Sequence, residues 1–194
     1  MDNTLEIIAA AIGIAYLVLQ YKANVWMWVC SLVMSAMYVV INFNHGLYAN
    51  FVLQIIFSVM AVVGLLAWLG IVRQHTPPPI TSMPRRMIVP LVAATLLLTV
   101  AIVAILRLLG EGSMPYFDGL TMAINLTGTY MLIRKYYQEW ICWMIVDPLM
   151  CVMYAMMGMW PSAVLYAIYS IVVVFGYINW KKQSVSHDID SNTR

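Results

Sequence analysis

Charged residues are scarce in this chain of 194 residues: they make up 9% of it, against about 25% in a typical soluble domain. Hydrophobic residues make up 63%, and the mean hydropathy is +0.86. The net charge of +2 is too small to indicate nucleic-acid binding. The composition therefore predicts an all-α integral membrane protein embedded in a lipid bilayer, with room for six to eight spans of roughly 20 residues.

Cysteine and histidine are also rare, at three residues each. The cysteines lie in apolar runs and show neither metal-ligand spacing nor a disulfide framework, so we expect them to pack as small side chains. They are Cys30, Cys142 and Cys151. We place His45, His75 and His187 in a turn, a loop and the tail, away from any buried nucleophile. These features argue against an intramembrane enzyme, and we expect no cofactor and no metal.

The apolar runs predict seven transmembrane helices in a three-plus-one-plus-three arrangement. A cleaved signal peptide would need a basic segment before its apolar run, but this N-terminus has Asp2 and Glu6. We therefore expect the first apolar run to remain in the membrane. The helices are predicted at about 5–20, 25–42, 47–72, 87–109, 118–133, 140–157 and 159–180. The predicted organisation is a first three-helix repeat at 1–72, a basic proline-rich loop at 73–86, a linking helix at 87–110, a second three-helix repeat at 111–182 and a disordered tail at 183–194.

The repeat is visible in the positions of glycine and tryptophan. Gly46, Gly64 and Trp68 recur 112 residues later as Gly158, Gly176 and Trp180, and Trp28 recurs as Trp140. Helices 1 and 5 are four crossings apart, so the two repeats should run parallel. Parallel repeats are a transporter architecture, in which substrate binds near the midplane between the halves.

The basic residues predict the orientation in the membrane. Of the ten Lys and Arg residues, only Arg107 falls on the side that holds the N-terminus in a seven-helix topology. The positive-inside rule therefore predicts that the N-terminus is outside and the C-terminus cytoplasmic.

Polar and aromatic side chains at helical spacing supply a candidate substrate site. Asp147 is the most informative, because a charge in the middle of a span costs about 2.5–3.5 kcal/mol on insertion scales. Aromatic rings beside a carboxylate suit a flat, cationic ring, which gains up to about 2 kcal/mol from cation–π attraction. The predicted substrate-binding residues are Asn50, Gln54, Asn125, Trp140, Trp143, Asp147, Tyr154 and Tyr166.

Other readings of these side chains stay open. Polar residues within spans also join helices by hydrogen bonds. Asp147 could pair with a hydroxyl or with a backbone group freed by Pro148, which has no N–H. A buried acid is also compatible with proton-coupled transport, and a receptor or structural subunit without transport is a further alternative.

Several segments resemble the PnuC family of vitamin transporters, and the resemblance extends from about residue 5 to 182. They are GLYANFVLQIIF and GLLAW in the first half, and YFDGLTMAINLTGTYMLIRKYYQEWICWMIVD, GMWPSAVLYAIYS and GYINW in the second. The resemblance implies a homotrimer in the bacterial inner membrane. It implies import of nicotinamide riboside by facilitated diffusion, with trapping by cytoplasmic phosphorylation. Sister branches of the family carry thiamine, riboflavin or deoxynucleosides.

Within this resemblance, position 147 bears on the choice of substrate. The family's motif points to Asn50, Gln54, Trp140, Trp143 and Tyr166 and to the position of Asp147, where many nicotinamide riboside carriers have Asn. Nicotinamide riboside and thiamine are both cationic, so an acid suits either, whereas riboflavin is uncharged and larger. The expected substrate is nicotinamide riboside, and the alternative is thiamine.

Overall fold

The computed structural model describes residues 3–44, 46–71, 78–111, 114–158 and 160–192, and these residues form seven α-helices. The predicted all-α fold and its three-plus-one-plus-three order are confirmed. The helices are α1 Asn3–Tyr21, α2 Trp26–Asn44, α3 Tyr48–Trp68, α4 Ile88–Leu109, α5 Pro115–Ile133, α6 Glu139–Met156 and α7 Trp160–Asn192, with a short 3-10 turn, Arg85–Met87, before α4.

Five helices in the described part of the chain are long and apolar enough to cross a membrane: α2, α3, α4, α6 and α7. In α1, a shorter apolar stretch is described, Ala11–Tyr21. α5 has the polar residues Asp118 and Asn125 and several threonines along its length. A span of about 20 residues crosses the hydrocarbon core, so the lengths of these helices suit a membrane protein.

The chain divides into two compact units, Met1–Pro78 and Pro79–Arg194. The first contains α1–α3 and the second contains α4–α7. The division falls inside the predicted loop 73–86, of which residues 73–77 lie outside the described residues. Residues 112–113 and 159 of the predicted second repeat, and residues 193–194 of the predicted tail, also lie outside them.

The turns of the two units have matching backbone geometry at the 112-residue spacing. Gly46 (φ 70°) and Gly158 (φ 73°) each adopt the left-handed conformation between two helices, where glycine carries no Cβ penalty. Each donates its N–H to the carbonyl three residues earlier at 3.1 Å. Ala23 (φ 51°) and Lys135 (φ 53°) form the second matching pair, in the α1–α2 and α5–α6 turns.

The tryptophans of the repeat form the same packing unit twice. Trp28 meets Trp68 edge to face, with ring centroids 5.7 Å apart and planes at 89°. Trp140 meets Trp180 at the same centroid distance and 84°. A Cβ on Gly64 would lie 2.5 Å from the ring of Trp28, and a Cβ on Gly176 would lie 2.5 Å from the ring of Trp140. Each indole therefore occupies the space that a side chain on the neighbouring glycine would need. The predicted repeat is confirmed in its packing.

Two helix ends differ from their predicted positions. α3 ends at Trp68, not at residue 72, because Gly70 adopts the left-handed conformation (φ 75°) that closes a helix C-terminus. α7 continues to Asn192, so the predicted disordered tail is wrong for residues 183–192. That segment contains no Gly or Pro, and extending an existing helix requires no new nucleation.

The end of the basic loop is docked on the α5–α6 turn. Thr81 donates its N–H to the carbonyl of Lys135 (3.0 Å) and accepts from the N–H of Tyr137 (3.2 Å). The Gln138 side chain accepts from the N–H of Met83 and donates to Ser82 Oγ. Burial in this turn lowers the pKa of Lys135. Within the second unit, the loop is thus attached to the start of α6.

Candidate functional site

Asp147 lies halfway along α6 and is 7% exposed. The next residue is Pro148, which has no N–H and therefore removes one backbone hydrogen bond from the helix. A buried carboxylate needs a charged or hydrogen-bonding partner to be tolerated. Asp147 is thus buried in the second unit.

Three tyrosines of α6 and α7 form a cluster near this acid. Tyr154 stacks on Tyr166, with ring centroids 5.4 Å apart and planes at 26°. Tyr166 meets Tyr169 edge to face at 5.6 Å. Tyr169 in turn lies within electrostatic range of the Asp147 carboxylate. The structure therefore brings the predicted site residues Tyr154 and Tyr166 into direct contact, and Asp147 lies near this cluster.

Trp143 lies one helical turn before Asp147 and reaches α5. It is half-buried, and its Nε1–H donates a hydrogen bond to the carboxylate of Glu139. A Cβ on Gly128 of α5 would lie 3.3 Å from Trp143 Cζ2, so the indole rests against this glycine. Asn125 is half-buried one turn earlier on α5. The two predicted residues Trp143 and Asn125 therefore belong to the same α5–α6 contact region.

Trp140 has a different environment from Trp143. It is fully buried between Trp180 and Gly176, and its Nε1–H has no hydrogen-bond partner among the described residues. Trp28 has the same surroundings in the first unit, including an indole N–H without a partner in the described part of the chain. The position of Trp140 is thus explained by the repeated packing unit.

Asn50 and Gln54 lie in the other compact unit, one turn apart on α3, and both are half-buried. In that unit, Ser58 donates a hydrogen bond to Ser35 Oγ at 2.9 Å. Ser35 is the counterpart of Asp147 at the 112-residue spacing. The first unit therefore has a hydroxyl pair where the second has a buried carboxylate.

The described residues contain no group of three or more His, Cys, Asp or Glu side chains arranged to hold a metal ion. Cys30, Cys142 and Cys151 are free, half-buried thiols. Of the histidines, His45 and His75 lie outside the described residues, and the side chain of His187 is not described.

A family model described as "Nicotinamide mononucleotide transporter" matches residues 3–182. The chain belongs to this transporter family. The match covers both three-helix repeats and the helix between them. The resemblance identified from the sequence segments is thereby confirmed.

Individual members of this transporter family are similar to the chain over most of its length. The nicotinamide riboside transporter PnuC of Neisseria mucosa is 25% identical over 96% of this chain and 75% of its own. The protein of the same name from Escherichia coli K12 is 23% identical over 73% of this chain and 70% of its own. These relatives are named as transporters and not as enzymes, in agreement with the prediction from the sequence.

A solved structure shows the same fold. The crystal structure of the vitamin B3 transporter PnuC superposes with a TM-score of 0.76 at 24% identity, over 96% of this chain and 84% of that one. The superposition shows the fold, and the family match shows that this fold belongs to a multi-pass membrane transporter.

Sequence reasoning missed two residues of this transporter's candidate site. Glu139 falls in the segment between the predicted helices 118–133 and 140–157, yet it is the first residue of α6 and is 0% exposed. Its spacing of four residues from Trp143 is a signal, since such pairs are neighbours on a helix. Tyr169 is not among the predicted site residues; its place near Asp147 depends on the packing of α7 on α6.

Proposed function

We propose that this protein imports a cationic vitamin, nicotinamide riboside, by facilitated diffusion, with thiamine as the alternative substrate. The observation that carries the proposal is a buried carboxylate, Asp147, set beside a cluster of tyrosines and one helical turn from Trp143. The relatives named as nicotinamide riboside transporters support the first choice.

The chemistry of the site suits a flat ring that carries a positive charge. The carboxylate of Asp147 serves as the counter-charge, and the rings of Trp143 and Tyr166 supply stacking and cation–π attraction. In a space that excludes water, each of these attractions is stronger than in bulk solvent. The pyridinium of nicotinamide riboside and the thiazolium of thiamine both meet this requirement.

An amide side chain of the second unit completes the proposed site. Asn125 offers both a donor and an acceptor to the carboxamide or ribose of the substrate. Tyr154 supports Tyr166 through their stacking. Asn50 and Gln54, in the first unit, have the same amide groups, and their part in substrate binding stays a prediction from the sequence. Trp140 takes part in this proposal as the packing residue that holds α6 against α7, not as a direct contact.

The remaining features of the proposal concern the whole assembly. We place the protein in the bacterial inner membrane as a homotrimer, with the N-terminus outside and the C-terminus cytoplasmic. Transport proceeds by alternating access without an ion gradient. Phosphorylation of the imported substrate in the cytoplasm then retains the substrate in the cell. The single basic residue predicted at one end of the topology and the nine predicted at the other support this orientation.

The test is uptake into proteoliposomes that contain the purified protein. Labelled nicotinamide riboside and labelled thiamine are compared, each with an excess of the other unlabelled, with and without a pH gradient. Flux of nicotinamide riboside that excess thiamine does not inhibit supports the main proposal. Thiamine flux alone moves the assignment to the alternative, and flux that follows the pH gradient contradicts facilitated diffusion.

Variants connect the flux to the site. Asp147→Ala and Trp143→Ala should abolish uptake while the protein remains in the membrane. Asp147→Asn separates charge from hydrogen bonding, because it keeps the size and one acceptor and removes the negative charge. The matched aromatic control is Trp26→Ala, since Trp26 is 63% exposed and lies at the start of α2. Unchanged uptake by Asp147→Ala would remove the site assignment.

A further inference from the structure

We propose that Glu139 is a positioning residue that fixes the indole of Trp143 for substrate binding. Glu139 is 0% exposed, and its carboxylate accepts the hydrogen bond of the Trp143 Nε1–H. A carboxylate removed from water is tolerated only where donors meet it, so this contact helps to hold the acid in the second unit. The inference rests on the proposed function, because it assigns Trp143 to the substrate site.

The geometry fixes the indole on two sides. Glu139, Trp143 and Asp147 follow one another at four-residue intervals along α6, so they lie on one face of the helix, and the indole is hydrogen-bonded to the first of them. Its six-membered ring rests against Gly128 of α5, where a Cβ would lie 3.3 Å from Cζ2 and 3.4 Å from Cη2. Rotation of the ring would break the hydrogen bond to Glu139, and displacement toward α5 is blocked by backbone.

The first unit shows that the pair is not part of the common scaffold. At the 112-residue spacing, Met27 stands where the second unit has Glu139, and Ser31 stands where it has Trp143. Met27 is also 0% exposed, so the position is buried in both units, yet only the second unit has an acid there. Both members of the pair are thus present only in the unit that contains Asp147.

The hydrogen bond also affects the electronic character of the indole. A carboxylate that accepts from an N–H polarises the donor, as hydrogen bonds in a low-dielectric interior strengthen one another. Polarisation in this direction enriches the ring in electron density and strengthens its attraction for a cation. Glu139 therefore acts on the substrate through Trp143 and does not touch the substrate itself.

The experiment is a double-mutant cycle on the purified full chain, with nicotinamide riboside as the probe and calorimetric Kd as the measurement. Glu139→Leu removes the acceptor at similar volume, and Glu139→Gln keeps an acceptor without the charge. Each is placed in the wild-type and in the Trp143→Phe background. In the wild-type background, Glu139→Leu should raise Kd on the order of tenfold and Glu139→Gln about threefold; in the Trp143→Phe background, both effects should fall below about twofold.

The outcomes separate the inference from the function on which it rests. Equal effects of Glu139→Leu in both backgrounds would mean a general structural role and overturn the inference, as would wild-type affinity in both Glu139 variants. If Glu139→Leu loses the monodisperse fold, the isosteric Glu139→Gln decides by the same comparison. A wild-type protein that binds thiamine and not nicotinamide riboside moves the substrate to the alternative, and the same cycle with thiamine then decides the inference. A wild-type protein that binds neither overturns the proposed function and the inference together.

Discussion

Replacing Gly176 by alanine should destabilise the protein, and replacing Gly64 should do so to the same extent. An added Cβ would lie 2.5 Å from the ring of Trp140 in the first case and 2.5 Å from the ring of Trp28 in the second. Ordinary carbon contacts are at about 3.5–4.0 Å, so each indole must retreat by about 1 Å. Each is already held edge to face against a second tryptophan, which limits this retreat.

The expected magnitude is the difference between two opposing effects. Overpacking of a well-filled core costs about 1–3 kcal/mol. Alanine in place of glycine inside a helix contributes about 0.5–1 kcal/mol of stability. The net loss should therefore be about 1 kcal/mol for each variant in the free energy of unfolding, measured by denaturant titration in mixed micelles.

The effect of Gly176→Ala on the free energy of unfolding should change sign when the Trp140 indole is removed. In a Trp140→Leu background the indole is gone, so Gly176→Ala should become stabilising by about 0.5–1 kcal/mol through helix propensity alone. Gly64→Ala in that background should remain destabilising, because Trp28 is still present. A loss of equal size for Gly176→Ala with and without Trp140 would refute the argument that the indole and the glycine share one space.

Two further predictions concern the turns. Ala23→Gly should raise the free energy of unfolding by about 1 kcal/mol, because Ala23 has φ 51° and glycine adopts this conformation without a Cβ penalty. The control Ala36→Gly, at an exposed position inside α2, should lower the free energy of unfolding by about 1 kcal/mol. Equal effects of the two variants in thermal melts would contradict this prediction. Thr81→Pro removes the N–H that donates to the α5–α6 turn, so trypsin should cleave the basic loop of this variant faster than that of the wild type. Thr81→Ala is the control, because it keeps the N–H. Equal cleavage of the two variants would mean that the docking of the loop does not depend on this hydrogen bond.

The sequence predicts the scaffold well because its signals are local. The glycines and tryptophans of the repeat keep a constant spacing, and each marks a turn or a close helix contact that the structure contains. Helical periodicity also places Asp147 and Trp143 on one side of α6. These features depend only on positions along a single helix or between two copies of a segment.

The partners of the site residues could not be predicted in the same way. Periodicity places Trp140 and Trp143 on nearby parts of α6. It does not show that Trp140 packs on Trp180, or that Trp143 donates a hydrogen bond to Glu139. Nor does periodicity place Tyr169 near Asp147, since their distance depends on how α7 packs against α6. The end of α7 was missed for another reason: polar composition suggested disorder, whereas helix extension depends on the residues already folded.

The two copies differ at three turns of α6 that carry candidate site residues, which leads to a prediction about stoichiometry. Three successive turns of α6 have Glu139, Trp143 and Asp147, and the corresponding turns of α2 have Met27, Ser31 and Ser35. The three residues of α2 offer no charge and no aromatic ring, and Ser35 already accepts a hydrogen bond from the α3 residue Ser58. We therefore expect each chain to bind one cationic substrate, measured by calorimetry on the purified protein. The variant Ser35→Ala should leave both the stoichiometry and the Kd unchanged, whereas Asp147→Ala should abolish the signal. Two equivalents per chain, or a loss of binding in Ser35→Ala, would mean that the hydroxyl pair of the first unit is a binding site in its own right.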